Sequence, residues 1–393
     1  MQSNHSLSIM VSAGEASGDS HASHALQALS DSGVLFSSFG MGAGALQASG
    51  TELIVDCRDL AVIGIVDVLL NYPKFLKRLK LLRDTLTARR PDLLLIVDYP
   101  DFNLKLAETA KSLGIPVLFY ISPKVWAWRA GRVPRIGSLV SHMAVLFPFE
   151  VDIYQQAGVP VTYVGNPVVH DAVSQYTREE ACDYLGLQRE NPVIALLPGS
   201  RKSEIQRHLP TMCSTILKLE QQIPDLQVML PVAPTLEIDY VRRMLGDTVL
   251  KSLVLSEHDS RDVMRAANVA FVASGTATLE TALIGTPMIV IYIVNRLNYA
   301  IMKRLIQIPD ISLVNIVARK RIVPEYLQHE AIPESMASDI KSLLDDASRR
   351  NQMKAELASI KDTMGDSHAS KRVASLIRQL ANHTPRAVAN KRH

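Results

Sequence analysis

PVIALLPGSRKSEI, residues Pro192–Ile205, holds the pattern from which the architecture of the chain can be read. Val193–Leu197 is a short, unbroken apolar run, the signature of a strand buried on both faces. Pro198-Gly199 breaks it, and a helical stretch carrying Glu204 and Arg207 follows. The same alternation recurs at Leu7–Val11, Leu93–Val97, Val117–Ile121, Met143–Phe147, Val228–Leu230, Val269–Val272 and Met288–Tyr292. Apolar strands separated by helical periodicity predict βαβ units, and both halves of the chain show them. The expected fold class is therefore α/β, with two doubly wound Rossmann-like domains. Gly165-Asn166-Pro167, after the strand-like Val161–Val164, marks a boundary. The expected division is 1–167, 168–345, and a C-terminal helical segment with a polar tail, 346–393.

Composition fits this reading. Of 393 residues, 47% are hydrophobic and 21% charged, enough apolar material for two cores. The net charge of +3 is too small to imply a nucleic-acid partner. Cys57, Cys182 and Cys213 are odd in number, far apart and without a C-x-x-C, so neither a disulfide framework nor a zinc site is expected. No apolar run approaches the roughly 20 residues that span a bilayer. The start of the chain lacks the basic region and long apolar core of a signal peptide, so a cytoplasmic protein is expected, at most peripheral on a membrane.

Two turns in the second half suit an anion. In Gly199-Ser200-Arg201 the glycine lets the backbone approach, the serine can donate, and the arginine can clamp phosphate oxygens, with Glu204 one helical turn on. In Ser274-Gly275-Thr276-Ala277-Thr278 a strand gives way to a helix whose free N–H groups and hydroxyls would cradle a pyrophosphate. Glu280 follows within reach of a ribose. Each turn alone also reads as plain capping chemistry. No G-x-x-x-x-G-K-[ST], D-x-D or H-E-x-x-H occurs, so neither a P-loop nor a metal-held diphosphate is expected.

In the first half, Gly14-Glu15-Ala16-Ser17-Gly18-Asp19 follows the first strand, with Ser17 or Asp19 either capping the next helix or binding an acceptor. Asp98 opens Asp98-Tyr99-Pro100-Asp101-Phe102-Asn103 at the end of a parallel strand, where α/β folds place chemistry. It reads as a general base for a hydroxyl nucleophile or as a turn residue, with Asp101 as a helix cap. Trp126, Trp128, Arg129, Arg132 and Arg135 cluster within ten residues, fit either for a sugar, acyl chain or phosphate or for a core with a solvated basic face. Ala61–Leu70 is nearly all apolar. After it Phe75, Leu79 and Leu82 share one helical face and Lys74, Lys77 and Arg78 another, a pattern open to a core-facing helix or to an anionic membrane surface. His170 and His208 receive no role.

Taken in order, SAGEASGD (Ser12–Asp19), DYPDFN (Asp98–Asn103), SPKVWAWR (Ser122–Arg129), LFPFE (Leu146–Glu150), VGNP (Val164–Pro167), LLPGSRKSEI (Leu196–Ile205), ASGTATLE (Ala273–Glu280) and SLVNI (Ser312–Ile316) resemble the lipid-A-disaccharide synthase family from Ile9 to about Leu380. The resemblance implies the GT-B fold of glycosyltransferases, with an acceptor domain first and a UDP domain second. It implies C-terminal helices that pack back or are exchanged in a homodimer. It implies transfer from UDP-2,3-diacylglucosamine to 2,3-diacylglucosamine 1-phosphate (lipid X), without cofactor or metal, on the inner face of the inner membrane. By the same resemblance Asp98 is the base, Asn315 joins the UDP pocket, and Phe75, Lys77, Trp126, Arg129 and Arg132 meet lipid and acceptor. Two rival readings are a UDP-sugar epimerase of the same fold, which turns over without acceptor, and a non-catalytic lipid or nucleotide binder on a membrane.

Overall fold

Continuous apolar runs become buried parallel strands in both halves. The computed structural model describes residues 6–60, 65–127, 130–246, 250–295, 299, 308–366 and 368–382; at 59, 60, 65–72 and 130 only the backbone is described. It divides into two compact units, one comprising residues to Asn166 with the C-terminal stretch from His368, the other Pro167–Ser367.

The first unit holds β1 (Leu7–Ala13), β2 (Phe36–Gly42), β3 (Glu52–Asp56), β4 (Leu93–Val97), β5 (Val117–Tyr120), β6 (His142–Val145) and β7 (Val161–Tyr163). They form one parallel sheet in the order β3-β2-β1-β4-β5-β6-β7. Successive residues of a strand point to opposite faces, and here both faces are covered. Ile9, Val11, Leu93 and Leu95 pack with Ala22, Leu26 and Leu29 of the helix Ala16–Asp31. Met10, Leu94 and Ile96 pack with Leu79, Leu82 and Leu86 of the helix Ile65–Arg89 and with Phe102 of the helix Pro100–Ser112.

The second unit holds β8 (Val193–Leu197), β9 (Gln227–Pro231), β10 (Leu253–Ser256), β11 (Val269–Ala273), β12 (Met288–Tyr292) and β13 (Glu325–Leu327), parallel in the order β10-β9-β8-β11-β12-β13. β8 and β11 are buried throughout, as their unbroken apolar runs predict.

The expected separate segment 346–393 is corrected. The helix Ala347–Met364 belongs to the second unit, whereas the helix Ala369–Asn382 returns to the first. The reason is its apolar stripe: Val373, Ala374, Ile377 and Ala381 are buried against the helix Ala16–Asp31 and the sheet beneath it. The polar tail Thr384–His393 lies outside the described residues.

Candidate active site

Each sheet reverses its strand order once, between β1 and β4 and between β8 and β11. Loops at the carboxyl ends of strands flanking such a reversal form the usual ligand crevice of an open α/β sheet. Both pairs of chemistry-bearing turns lie there: Gly14–Ser17 beside Asp98–Tyr99 in the first unit, and Gly199–Arg201 beside Ser274–Thr276 in the second. Leu197 and Val272 are register partners, so the two anion-directed turns leave adjacent strands side by side.

Asp98 follows β4 with φ 45°, and Tyr99 comes next with φ 48°, two successive non-glycine residues in the left-handed region. Such backbone strain costs on the order of 1–3 kcal/mol per residue and is held only by surrounding contacts. Asn103, fully buried, supplies them. Its side-chain amide donates to the backbone oxygens of Asp98 at 2.7 Å and of Val97 and Ser12 at 3.2 Å, and its oxygen accepts from the Ser12 hydroxyl at 2.6 Å. Across the reversal Gly14 faces the Tyr99 ring; a Cβ at Gly14 would lie 2.3 Å from it. Burial raises the Asp98 carboxyl above the usual carboxylate range, and Glu15 adds repulsion. A carboxylate so placed is a stronger base than one in water.

Asp98 lines a concavity with Ser122, Lys124, Trp126, Phe147 and Glu150. Glu150 is buried, and desolvation pushes its carboxyl up to about 7. It accepts from the Phe147 backbone amide at 3.1 Å and from the Trp126 indole at 3.2 Å. The Trp126 ring also meets Phe149 edge-on at 5.3 Å.

In the second unit the two turns differ. Glu204 fills its own turn: its carboxylate accepts from the backbone amides of Ser200 at 2.9 Å and Arg201 at 3.2 Å, and from the Arg201 guanidinium at 2.8 Å. Gly199, at φ 123°, leaves the space, since a Cβ there would lie 2.4 Å from that carboxylate. At the other turn, among the described residues no side chain caps the helix Thr276–Ile284, and Gly275 and Thr276 are exposed. Of the two turns, this helix start is the one whose N-terminal backbone groups no side chain caps.

Several expected ligand contacts have other uses. Neither Ser17 nor Asp19 caps the helix Ala16–Asp31, whose N-cap is Glu15 without a side-chain bond. Asp19 is buried and caps the neighbouring helix Gly44–Ala48, accepting from the amides of Ala43 at 2.6 Å and Ala45 at 2.8 Å; that buried donor set outcompetes its own helix. Gly18 is buried, while Glu15 and Ser17 stand exposed at the turn. Phe75 packs edge-on against Phe102 at 5.0 Å, so the Phe75–Leu79–Leu82 face is a core face; the exposed residues of that helix include Lys74, Leu76, Lys77, Lys80 and Leu81. Asp101 forms an ion pair with Arg132 at 2.8 Å rather than capping. Ser274 donates to Ile311 O and Thr278 to Gly275 O, each at 2.8 Å, which occupies both hydroxyl hydrogens. Asn315 is buried with both ends of its amide engaged: it donates to Val323 O and Glu325, and accepts from the amides of Ile322 and Val323. Glu280 is half-buried, raised by desolvation and countered by Arg261. Trp128, Arg129 and 61–64 lie outside the described residues.

Sequence reasoning passed over His208. It is buried and bridges the ends of β8 and β12, accepting from the Ile293 amide at 3.1 Å while its Nδ1 meets Pro198 O at 2.8 Å. A neutral imidazole protonated at Nδ1 satisfies both bonds, and burial lowers its pKa accordingly.

Two doubly wound parallel sheets in one chain, each carrying its turns at the reversal point, are the architecture of GT-B glycosyltransferases and of the epimerases that share it. Solved structures agree on the fold: UDP-GlcNAc 2-epimerase from Neisseria meningitidis bound to UDP-GlcNAc (TM-score 0.61, 13% identity, 95% of this chain and 99% of that one) and MurG of Acinetobacter baumannii (TM-score 0.59, 14% identity, 95% and 100%). The family model described as lipid-A-disaccharide synthetase matches residues 9–379. The chain is 41% identical over 369 residues to the lipid-A-disaccharide synthase of Trichlorobacter lovleyi (94% of this chain, 96% of that one), and 42% over 360 residues to that of Nitrosococcus oceani (91% and 92%). The chain belongs to the lipid-A-disaccharide synthase family: it is a UDP-sugar-dependent glycosyltransferase that forms the lipid A disaccharide.

Proposed function

We propose that the protein transfers 2,3-diacylglucosamine from UDP-2,3-diacylglucosamine to the 6-hydroxyl of lipid X, with inversion, releasing UDP. The observation that carries this reading is Asp98, a half-desolvated carboxylate locked at a strand-order reversal beside the turn that bears Glu15. Asp98 takes the hydroxyl proton as the oxygen attacks the donor's anomeric carbon. Negative charge then grows on the departing diphosphate. The uncapped start of the helix Thr276–Ile284 and the Arg201 guanidinium receive it, the first through backbone N–H groups of Gly275, Thr276 and Ala277. Glu280 holds the ribose. Glu204 keeps the β8 turn shaped through the Ser200 and Arg201 amides.

The first unit takes the acceptor, with Glu15, Ser17, Lys124 and Trp126 around its head group. Among the described residues no helix is long and apolar enough to cross a membrane. The exposed Lys74, Lys77 and Lys80, interleaved with Leu76 and Leu81, suit the surface of an anionic membrane. Exchange of the helix Ala369–Asn382 between two copies would remake its packing and give a homodimer, which sedimentation at several concentrations tests. The reaction itself is tested by UDP release. It is expected only when donor and lipid X are both present; release from donor alone at a comparable rate, or epimerised donor, would overturn the reading.

A further inference from the structure

At the far edge of the second sheet, where β11 and β12 begin, three helices bring cations together. The helix Ser260–Ala266 carries Arg265 in its last turn, three residues before Asn268. Arg178, the first residue of the helix Arg178–Tyr184, donates to the Asn268 side chain at 3.1 Å. The helix Ala347–Met364 reaches the same edge: Met264 O accepts from the Thr286 hydroxyl at 2.7 Å, and the Met288 amide lies 3.4 Å from the Met353 sulfur. Arg350 and Lys354 flank Met353 on that helix.

Among the described residues these four cations have no carboxylate partner: no ion pair involves any of them. Nearby carboxylates are spent elsewhere: Asp183 on Arg189, Glu180 on the Thr177 amide, Asp346 on the amides of Ser348 and Arg349. The Nε atoms of Arg178 and Arg265 are buried without a hydrogen-bond partner. A buried donor left unpaired is costly, and native proteins leave few. The guanidinium fork matches phosphate oxygens. Desolvation, and then repulsion from the three arginines, lowers the Lys354 pKa, so an arriving anion relieves existing strain.

We propose that Arg178, Arg265, Arg350 and Lys354 form a second anion site, for the phosphate group of an inorganic or lipid-borne phosphate. It lies at the end of the sheet opposite Gly199 and Gly275, about 16 Å away along a five-residue strand, so it is separate from the nucleotide turns and does not depend on their assignment.

The test uses the full-length protein with saturating UDP, which occupies the nucleotide turns, at constant ionic strength. Inorganic pyrophosphate is titrated by calorimetry, and phosphatidylglycerol vesicles are co-sedimented in parallel. Arg265→Gln and Lys354→Gln are each compared with wild type, the exposed Lys354 being the change least able to disturb folding, and UDP release is expected to be unchanged in both. At least a fivefold weaker response in both variants, to either probe, supports the site and assigns its source as free or lipid-borne phosphate. Wild-type affinity of both variants for both probes, or no response of the wild type to either, overturns it.

Discussion

Asn103 donates its side-chain amide to the backbone oxygen of Asp98 at 2.7 Å, from a position with no exposure to solvent. The bond fixes the aspartate in a left-handed conformation that its sequence neighbours would not choose, and it ties β4 to β1 through Ser12. Replacing Asn103 with alanine leaves three carbonyl oxygens and one hydroxyl short of a partner. The expected cost is about 1–3 kcal/mol of stability, read by urea unfolding. At temperatures where the variant is folded, kcat is expected to fall more than tenfold with UDP affinity unchanged. An unchanged kcat would detach Asn103 from the positioning of Asp98.

With Asp98 as the proposed base, its ionisation is expected to set the acid limb of the rate profile. Burial and the Glu15 charge raise its pKa, so the ionised base is lost at a higher pH than for an exposed aspartate. kcat/KM should fall as pH drops through that raised value. Glu15→Gln removes the repulsion and should move the inflection to lower pH, whereas Lys124→Gln removes an attraction and should move it up. Opposite shifts in the two pH profiles are the expected result.

Glu150 links pH to stability. Its folded pKa of about 7 lies above the ordinary value of 4.5 because burial opposes its charge. With the folded value raised, the stabilising contribution is complete below about 4.5 and is lost as pH rises through about 7. The loss is about 3 kcal/mol at one decade per 1.36 kcal/mol. Glu150→Gln should flatten the pH dependence of unfolding across that window, measured as midpoints in guanidinium chloride.

Gly14 and Tyr99 form a pair. A methyl at Gly14 would meet the tyrosine ring, so Gly14→Ala should displace Tyr99 and disturb Asp98 beside it. Tyr99→Gly removes the ring and the left-handed penalty together. A double-mutant cycle on kcat should show the Gly14→Ala loss shrinking in the Tyr99→Gly background; simple additivity of the two changes would contradict the contact.

The strands buried over all or nearly all their length were legible because their residues are apolar without a break: β4, β8, β11 and β12 each read directly from the chain. β2 was not, since Phe36-Ser-Ser-Phe-Gly-Met-Gly dilutes the apolar signal, and its strand state comes from pairing with β1 and β3 on either side. The turns at Asp98, Gly199 and Gly275 were legible as strand-to-helix breaks carrying polar residues. What a polar side chain in such a turn bonds to was not, because its partners are distant in sequence. Asp19 meets Ala43, Ser274 meets Ile311, and His208 meets Ile293. Periodicity likewise found the face shared by Phe75, Leu79 and Leu82, but only the packing against Phe102 shows that it points inward.

In the proposed reaction Asp98 takes the proton of the acceptor hydroxyl. The direct measurement is steady-state UDP release by Asp98→Asn with both substrates saturating, alongside calorimetric binding of UDP. Loss of a general base predicts turnover lowered by roughly 10²–10⁴-fold with UDP binding intact. Turnover within a few-fold of wild type would contradict it.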